Sequence, residues 1–539
     1  MVSPPPAGSG ARGGIATSTL VRGLWLGGPL GAGAVAMALA WRTLMPGVGV
    51  WDTAEFQAVP PVLGTLHPTG FPAYTILGWL GSVALQPFGS PAYRMNILSA
   101  LYVAGAVAFT VVLVRQLTAR LAIAIAAGLL LFLTPIAWKI ATHADAHALH
   151  LLLLAVVFVL LVGWESRVRA AGGPRRETDR WLVAAAAAYG LAMANHTLAL
   201  LAAPGIALFV HAVEPGIFRR RAIVGRCVAA GLGVAALLYL ELPLRAGPFR
   251  APLVYGHPET LGGFVYVVFG QQFRGEMVSA LRELGPRLGD FVDFAAGQLG
   301  VLAALVPFAG VAVAIRRWPY ALLTIPTLVS TCLFATLYDN AEISRYYLVP
   351  LLITVTWLAI LADELVLPVG RLASRLRSGT ADRATLVRPP RPSLALLAVE
   401  VVVAAALVAP AVLAAPNTRL AVDESHDTAA QRWLDATLAV LKPNAVVISW
   451  WSFSTPLWYA RDVEGRRTDI TIIDDRTRLD QDLGDVPHVI DLYLGQRPVY
   501  LIRMPPELNV LAATYQFEPL PEAISSGLVQ VIGRRPDAP

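Results

Sequence analysis

Asp52 and Glu55 stand three residues apart, next to Trp51, and His67-Pro68 follows twelve residues later. On a short helix that spacing puts both carboxylates on one face. Neighbouring carboxylates push each other's pKa values apart, which suits one of them to serve as a general base. The same spacing also reads as Asp52 capping a helix, with Glu55 solvated behind it. The proline after His67 disfavours a helical backbone there, so its ring projects from a turn. Taken alone, His67 equally reads as a hydrogen-bonded structural histidine.

Further polar residues gather in the same kind of place. Trp138-Lys139 leads into His143, Asp145, His147 and His150. The three histidines, spaced i, i+4, i+7, share one helical face, with Asp145 on a different side. Such a stripe either ligates a metal or closes a polar face over an outer cavity. No carboxylate or thiolate falls in register, so the polar face is the reading and no metal ligands are assigned. Asn195-His196 and Tyr255-Gly256-His257-Pro258 add further polar turns, while Arg245 and Arg345 each flank an apolar run beside aromatic residues. A guanidinium there either clamps a phosphate bidentately or snorkels to the interface.

These residues are positioned by a chain of 539 residues, 56% hydrophobic and 14% charged, with mean hydropathy +0.60. Soluble domains carry about a quarter charged residues, so this is a polytopic membrane protein. Eleven apolar stretches are candidates for crossing a bilayer: about 24 to 45, 96 to 114, 121 to 140, 148 to 164, 181 to 195, 197 to 213, 227 to 243, 297 to 315, 319 to 337, 346 to 366 and 394 to 415. With the N-terminus inside, the inner segments hold 21 of the 42 Lys and Arg, and the longer outer connections of the bundle hold nine. The positive-inside rule therefore predicts a cytoplasmic N-terminus and an outward C-terminal domain. It also accounts for the net charge of +6 without nucleic acid, because the basic residues lie in short clusters between apolar segments.

Three regions follow: a tail over 1–23, a transmembrane bundle over 24–415 and a water-soluble α/β domain over 416–539. In the last, a helix is predicted over 427–441 and strands over Ala445–Ser449, Asp469–Ile473 and Pro498–Ile502. Asp474 and Asp475 end one of those strands, where α/β sheets tend to bind ligands, but with no glycine-rich loop beside them they read as a turn. The segment from Gly370 to Ser393 reads as a flexible Arg/Pro-rich inner connector. Ala38-Leu39-Ala40 resembles a signal-peptide cleavage site, although the apolar run before it suits an anchor. Cys227 and Cys332 lie inside apolar runs, which excludes a disulfide framework and a thiolate zinc site.

The chain resembles the GT-C class of membrane glycosyltransferases, and within it the domain of unknown function 2723 family, which includes the transmembrane O-mannosyltransferases of animals. The family's first-loop pattern, approximately D-S-G-E-F and then H-P-P-G-Y-P, is matched by Asp52-Thr53-Ala54-Glu55-Phe56 and His67-Pro68-Thr69-Gly70-Phe71-Pro72. Its next signature, W followed by A-E-V-Y-A-L-H, is matched by Trp138 and Ala144-Asp145-Ala146-His147-Ala148-Leu149-His150, with Asp for Glu and His for Tyr. Gly190-Leu191 with His196, and Leu242-Pro243-Leu244-Arg245 with Gly256-His257-Pro258, complete the match over most of 24–350; Val463 to Asp469 resembles the family's tail.

The resemblance implies a GT-C-like helical bundle with a small extracytoplasmic α/β domain. It also implies transfer of a sugar, with mannose the first candidate, from a polyprenyl-phosphate donor to a protein or glycan acceptor at the outer face of the plasma (inner) membrane. Asp52 is expected to be the base and Glu55 to share that task or orient the acceptor. His67, Arg245 and Arg345 are expected at the donor phosphate, and Trp51, Asp145, His147, His196 and Tyr255 around the substrates. No cofactor is assigned, and a divalent metal stays open. Two other readings stand beside this one: a transporter or lipid flippase, whose polar groups belong at the bilayer midplane, and a non-catalytic assembly protein.

Overall fold

The computed structural model describes residues 11–273, 275, 284–378, 394–520 and 527–536. Its larger part is a bundle of apolar helices. Among the described residues, seven helices are long and apolar enough to cross a membrane: Pro91–Thr118, Ala146–Ala170, Arg221–Ala246, Gly285–Arg316, Trp318–Leu337, Ile343–Pro368 and Leu394–Val422. Three shorter apolar helices, Leu26–Trp41, Leu121–Leu133 and Thr197–Val213, and the helix Arg176–Asn195 occupy the other four expected stretches. Leu30, Phe308, Val402 and Leu413 lie exposed on these helices, as apolar side chains facing lipid do, since tails offer them the same environment as a core.

Helix starts follow local sequence. Pro72, Pro91 and Pro135 open helices in their first turn, where a missing N–H costs nothing. Asp145 caps Ala146–Ala170 by accepting a hydrogen bond from the His147 N–H at 2.6 Å. Small residues bring helices together: a Cβ at Gly190 would lie 2.0 Å from the Gly231 backbone oxygen, so Arg176–Asn195 and Arg221–Tyr239 touch backbone to backbone.

Several boundaries differ from expectation. The first helix starts at Ala11, inside the expected tail. The helix Leu348–Ser378 runs through the first part of the expected 370–393 connector; apolar packing of its earlier turns outweighs Pro368. Residues 379–393 of that connector lie outside the described residues. The helix Leu394–Val422 continues past 415.

The C-terminal part carries five strands, β1 (Val446–Ser449), β2 (Thr471–Asp474), β3 (Val499–Ile502), β4 (Tyr515–Pro519) and β5 (Leu528–Arg534), in the order β2-β1-β3-β5-β4. β1 pairs in parallel with β2 and β3, and β5 runs antiparallel to β3 and β4. The helix Ala429–Val440 and strands β1 to β3 match the expected elements; β4 and β5 were not read from the sequence.

This domain rests on the connections at one end of the bundle. Glu424 donates its backbone N–H to the Thr43 carbonyl at 3.1 Å. Its carboxylate accepts from Thr142 Oγ1 at 2.8 Å and faces His143 Nδ1 at 2.9 Å. The Ala92 N–H donates to the Tyr459 hydroxyl at 3.2 Å, and the Gly256 N–H to Asp480 Oδ2 at 3.0 Å. The Trp51 and Trp450 rings meet edge to face, 5.3 Å apart.

Candidate active site

The first connection folds into the eight-residue helix Trp51–Ala58. Its N-cap is Val50, without a side-chain cap bond, so Asp52 does not cap it. Instead Asp52 Oδ2 accepts a charge-assisted hydrogen bond from Arg345 Nη2. Arg345 Nη1 reaches Asp145 Oδ2 at 3.2 Å and Glu342 Oε2 at 3.0 Å. One guanidinium thus collects carboxylates from the helix Trp51–Ala58, from the turn before Ala146–Ala170 and from the turn before Leu348–Ser378. Burial raises the Asp52 carboxyl, but the charges of Arg345 and His67 and the Arg345 hydrogen bond together outweigh it and hold the group below its ordinary value.

Glu55 is 1% exposed and therefore not solvated. Its Oε1 accepts the His67 backbone N–H at 2.9 Å, and its Oε2 pairs with His67 Nδ1. Burial lowers the His67 pKa, while the carboxylates of Glu55 and Asp52 raise it more, so the net direction is up. Asp52, Glu55 and His67 each present a ligand atom, all within 4.8 Å of one another.

Two residues that sequence patterns did not flag hold this helix in place. Gln57 accepts the Gly49 N–H at 2.8 Å and donates to Asn96 Oδ1 at 2.8 Å. Asn96 in turn donates to the Met45 carbonyl and accepts the Ala144 N–H, each at 2.9 Å. Buried amides of this kind bind first and second connections into one unit.

A cavity of about 590 Å³ opens beside Asp52. Trp51, His67, His147, His196, Arg345 and Tyr346 line it, together with Trp451 and Arg476 from the C-terminal domain. His147 Nδ1 pairs with Asp145 Oδ1 at 2.9 Å, and His196 Nδ1 accepts the Leu198 N–H at 3.1 Å. The structure therefore brings together Trp51, Asp52, His67, Asp145, His147, His196 and Arg345, with Glu55 immediately behind them.

Three of the expected residues lie elsewhere than beside Asp52. Arg245 does not line this cavity: its Nε donates to the Leu63 carbonyl at 2.8 Å and its Nη2 to the Val62 carbonyl at 3.0 Å. It ties down the chain between Glu55 and His67. Tyr255 lines a separate, smaller cavity. His143 precedes the helix Ala146–Ala170 and pairs with Glu424, so the histidines form no single helical stripe.

Among the cavity's charged residues, Arg476 was not singled out by the sequence. It follows β2, stacks over the Tyr255 ring at 4.4 Å and the Trp451 ring at 5.0 Å, and leaves Nη1 without a partner. Burial lowers its pKa, and the carboxylates of Glu55 and Asp52 oppose that shift. Its signal in the sequence was weak, an arginine just after Asp474-Asp475.

Residues 52–215 match the family model described as the protein O-mannosyl-transferase TMEM260 N-terminal domain. The protein O-mannosyl-transferase TMEM260 of mouse (Mus musculus) is 28% identical over 277 residues, which is 49% of this chain and 37% of the mouse protein. The match thus spans well under two thirds of that relative. Two crystal structures of ArnT from Cupriavidus metallidurans, apo and bound to undecaprenyl phosphate, superpose with TM-scores of 0.54 and 0.52. Each is 14% identical and covers 97% of this chain and 98% of ArnT. The fold is therefore that of the GT-C membrane enzymes, and the resemblance carried by the first connection holds.

Proposed function

We propose that this integral membrane protein is an inverting glycosyltransferase, which moves a sugar from a polyprenyl-phosphate donor to an acceptor hydroxyl at the outer face. The observation that carries the reading is the pairing of Asp52 with Arg345 in the wall of the 590 Å³ cavity. The likeness to a mannosyl-transferase makes mannose the first donor sugar to try. The charge distribution supports a cytoplasmic N-terminus in a plasma (inner) membrane, with the C-terminal domain outside.

The acceptor oxygen forms a bond to the anomeric carbon as the bond from that carbon to the phosphate oxygen breaks, which inverts the configuration. Asp52 takes the acceptor's proton, and the lipid phosphate leaves with the bonding electron pair. A carboxylate held below its ordinary pKa is a weak base. Proton transfer is accordingly late, once the new bond has made the acceptor oxygen acidic. Negative charge growing on the phosphate calls for donors aimed into the cavity. Arg476 supplies its unpartnered Nη1. His67, with Nδ1 engaged by Glu55, has Nε2 left for the phosphate or the sugar. Arg345 is already paired with three carboxylates, so its part is to orient Asp52.

Two carboxylates and an imidazole within 4.8 Å are a donor set that suits a divalent cation. Asp52, Glu55 and His67 would hold it, and the ion would supply Lewis-acid stabilisation of the phosphate.

The test is donor turnover in nanodiscs with polyprenyl-phosphate mannose and polyprenyl-phosphate glucose, comparing wild type with Asp52→Asn. The expected result is saturable donor binding by both proteins and sugar release or transfer by the wild type alone. Undiminished turnover by the variant would overturn the role of Asp52. Lipid flux across the bilayer without cleavage of the sugar–phosphate bond would favour a flippase.

A further inference from the structure

A second cavity, of about 270 Å³, lies in the seam between the C-terminal domain and the outer connections. Its walls differ from those of the first. Thr65 and Tyr255 come from the connections, and Trp458, Asp474, Arg476 and Tyr493 from the C-terminal domain. Four polar atoms on these walls are buried without a hydrogen-bond partner: Thr65 Oγ1, Tyr255 Oη, Asp474 Oδ2 and Arg476 Nη1. Orphaned buried polar atoms each cost stability and are rare unless a site needs them. With Arg476 Nη1 assigned above to the donor phosphate, the other three, two hydroxyls and a carboxylate oxygen, describe a ligand rich in hydroxyls.

The arrangement is built and held. Asp474 is fully buried, and its Oδ1 accepts the Thr477 N–H at 2.8 Å, which leaves Oδ2 as the free acceptor. The seam is closed by the Gly256 N–H donating to Asp480 Oδ2 at 3.0 Å, and by His257 Nε2 against the Asp480 carbonyl at 2.8 Å. Trp458 and Tyr493 add aromatic surface to the walls, while the Tyr255 ring is stacked on Arg476.

The two cavities are neighbours. Glu55 lines the seam, Asp52 lines the larger cavity, and Arg476 lines both. A ligand in the seam therefore has its near end one helical turn from Asp52.

We infer that the seam is the acceptor subsite and takes a saccharide, whose outer hydroxyl passes between Glu55 and Arg476 to reach Asp52. The acceptor role rests on the glycosyltransferase reading; the capacity to bind a saccharide does not. The C-terminal domain then supplies half of a substrate site and is not merely a cover.

The test uses the full chain in nanodiscs with no donor present. Mannotriose, cellotriose, maltotriose and a Ser/Thr-containing decapeptide are titrated and followed by saturation-transfer NMR. At least one trisaccharide should bind saturably, and the double variant Tyr255→Phe with Asp474→Asn should weaken it about tenfold. Both changes keep side-chain shape, and an unchanged thermal midpoint checks that the variant folds. Binding of no trisaccharide, equal binding by the variant, or binding of the peptide alone would each overturn the proposal. Donor turnover without saccharide binding would sink the seam assignment alone; saccharide binding without donor turnover would sink the transferase reading alone.

Discussion

Asp52 and Arg345 lie 293 positions apart in the chain and meet in one partly buried, charge-assisted hydrogen bond. The Arg345 side chain is only 6% exposed and that of Asp52 17%. Breaking a buried pair by removing one partner costs roughly 3–5 kcal/mol. Arg345→Gln should therefore lower the thermal midpoint and abolish turnover together, because it takes the cation from Asp52 and Asp145. Asp52→Asn removes one of three carboxylates around the same cation and should cost less stability while losing turnover. Calorimetry of both variants in detergent checks the order; an Arg345→Gln protein as stable as wild type would contradict it.

The pH dependence of stability should carry two separable marks. The folded-state pKa of His67 is raised above an unfolded value near 6.5. Its contribution is then complete below about pH 6.5 and is lost as pH rises through the folded value. Burial pushes the Asp474 carboxyl up to about 6, so its contribution is complete below about pH 4 and fades as pH rises to about 6. Thermal midpoints measured from pH 4 to 9 should lose the upper mark in Glu55→Gln and the lower one in Asp474→Asn.

Arg245 and Arg476 should separate in donor binding. Charge-assisted hydrogen bonds contribute about 1.5–3 kcal/mol, so Arg476→Gln is expected to weaken polyprenyl-phosphate mannose binding roughly ten- to a hundredfold. Arg245→Ala frees the Val62 and Leu63 carbonyls it holds. It should lower turnover through a loosened first connection with donor affinity nearly intact. Equilibrium binding in nanodiscs decides, and a large affinity loss in Arg245→Ala would return that residue to the phosphate.

Gly190 is a structural requirement. The approach of 2.0 Å to the Gly231 oxygen leaves no room for a methyl group. Gly190→Ala should cost about 1–3 kcal/mol or more as the two helices separate. Gly225→Ala, on the same second helix with nothing within 4 Å, should cost no stability and raise it by up to about 1 kcal/mol.

The sequence by itself was enough for the class of protein, the places of the apolar helices, the first three strands of the small domain and the residue types gathered in the first connection. These rest on local patterns: apolar run length, alternation, and residue types at short spacing such as Asp52 to His67. Of the polar turns it singled out, His147 and His196 line the larger cavity and Asp145 reaches it through Arg345, while Tyr255 lines the smaller one.

Tertiary structure decided the pairings. Arg245 and Arg345 look alike in sequence, each an arginine beside aromatics at the end of an apolar run. One spends its guanidinium on backbone carbonyls and the other on Asp52 and Asp145. Asp52 and Glu55 likewise look alike as capping-box residues, yet Glu55 is tied to His67 and Asp52 to Arg345. Arg476 became legible only when the C-terminal domain was seated on the bundle, where Tyr255 and Trp451 receive it. A charged side chain's role depends on which partners remain within a few ångströms after packing, and that is a property of three-dimensional distance that spacing along the chain does not contain.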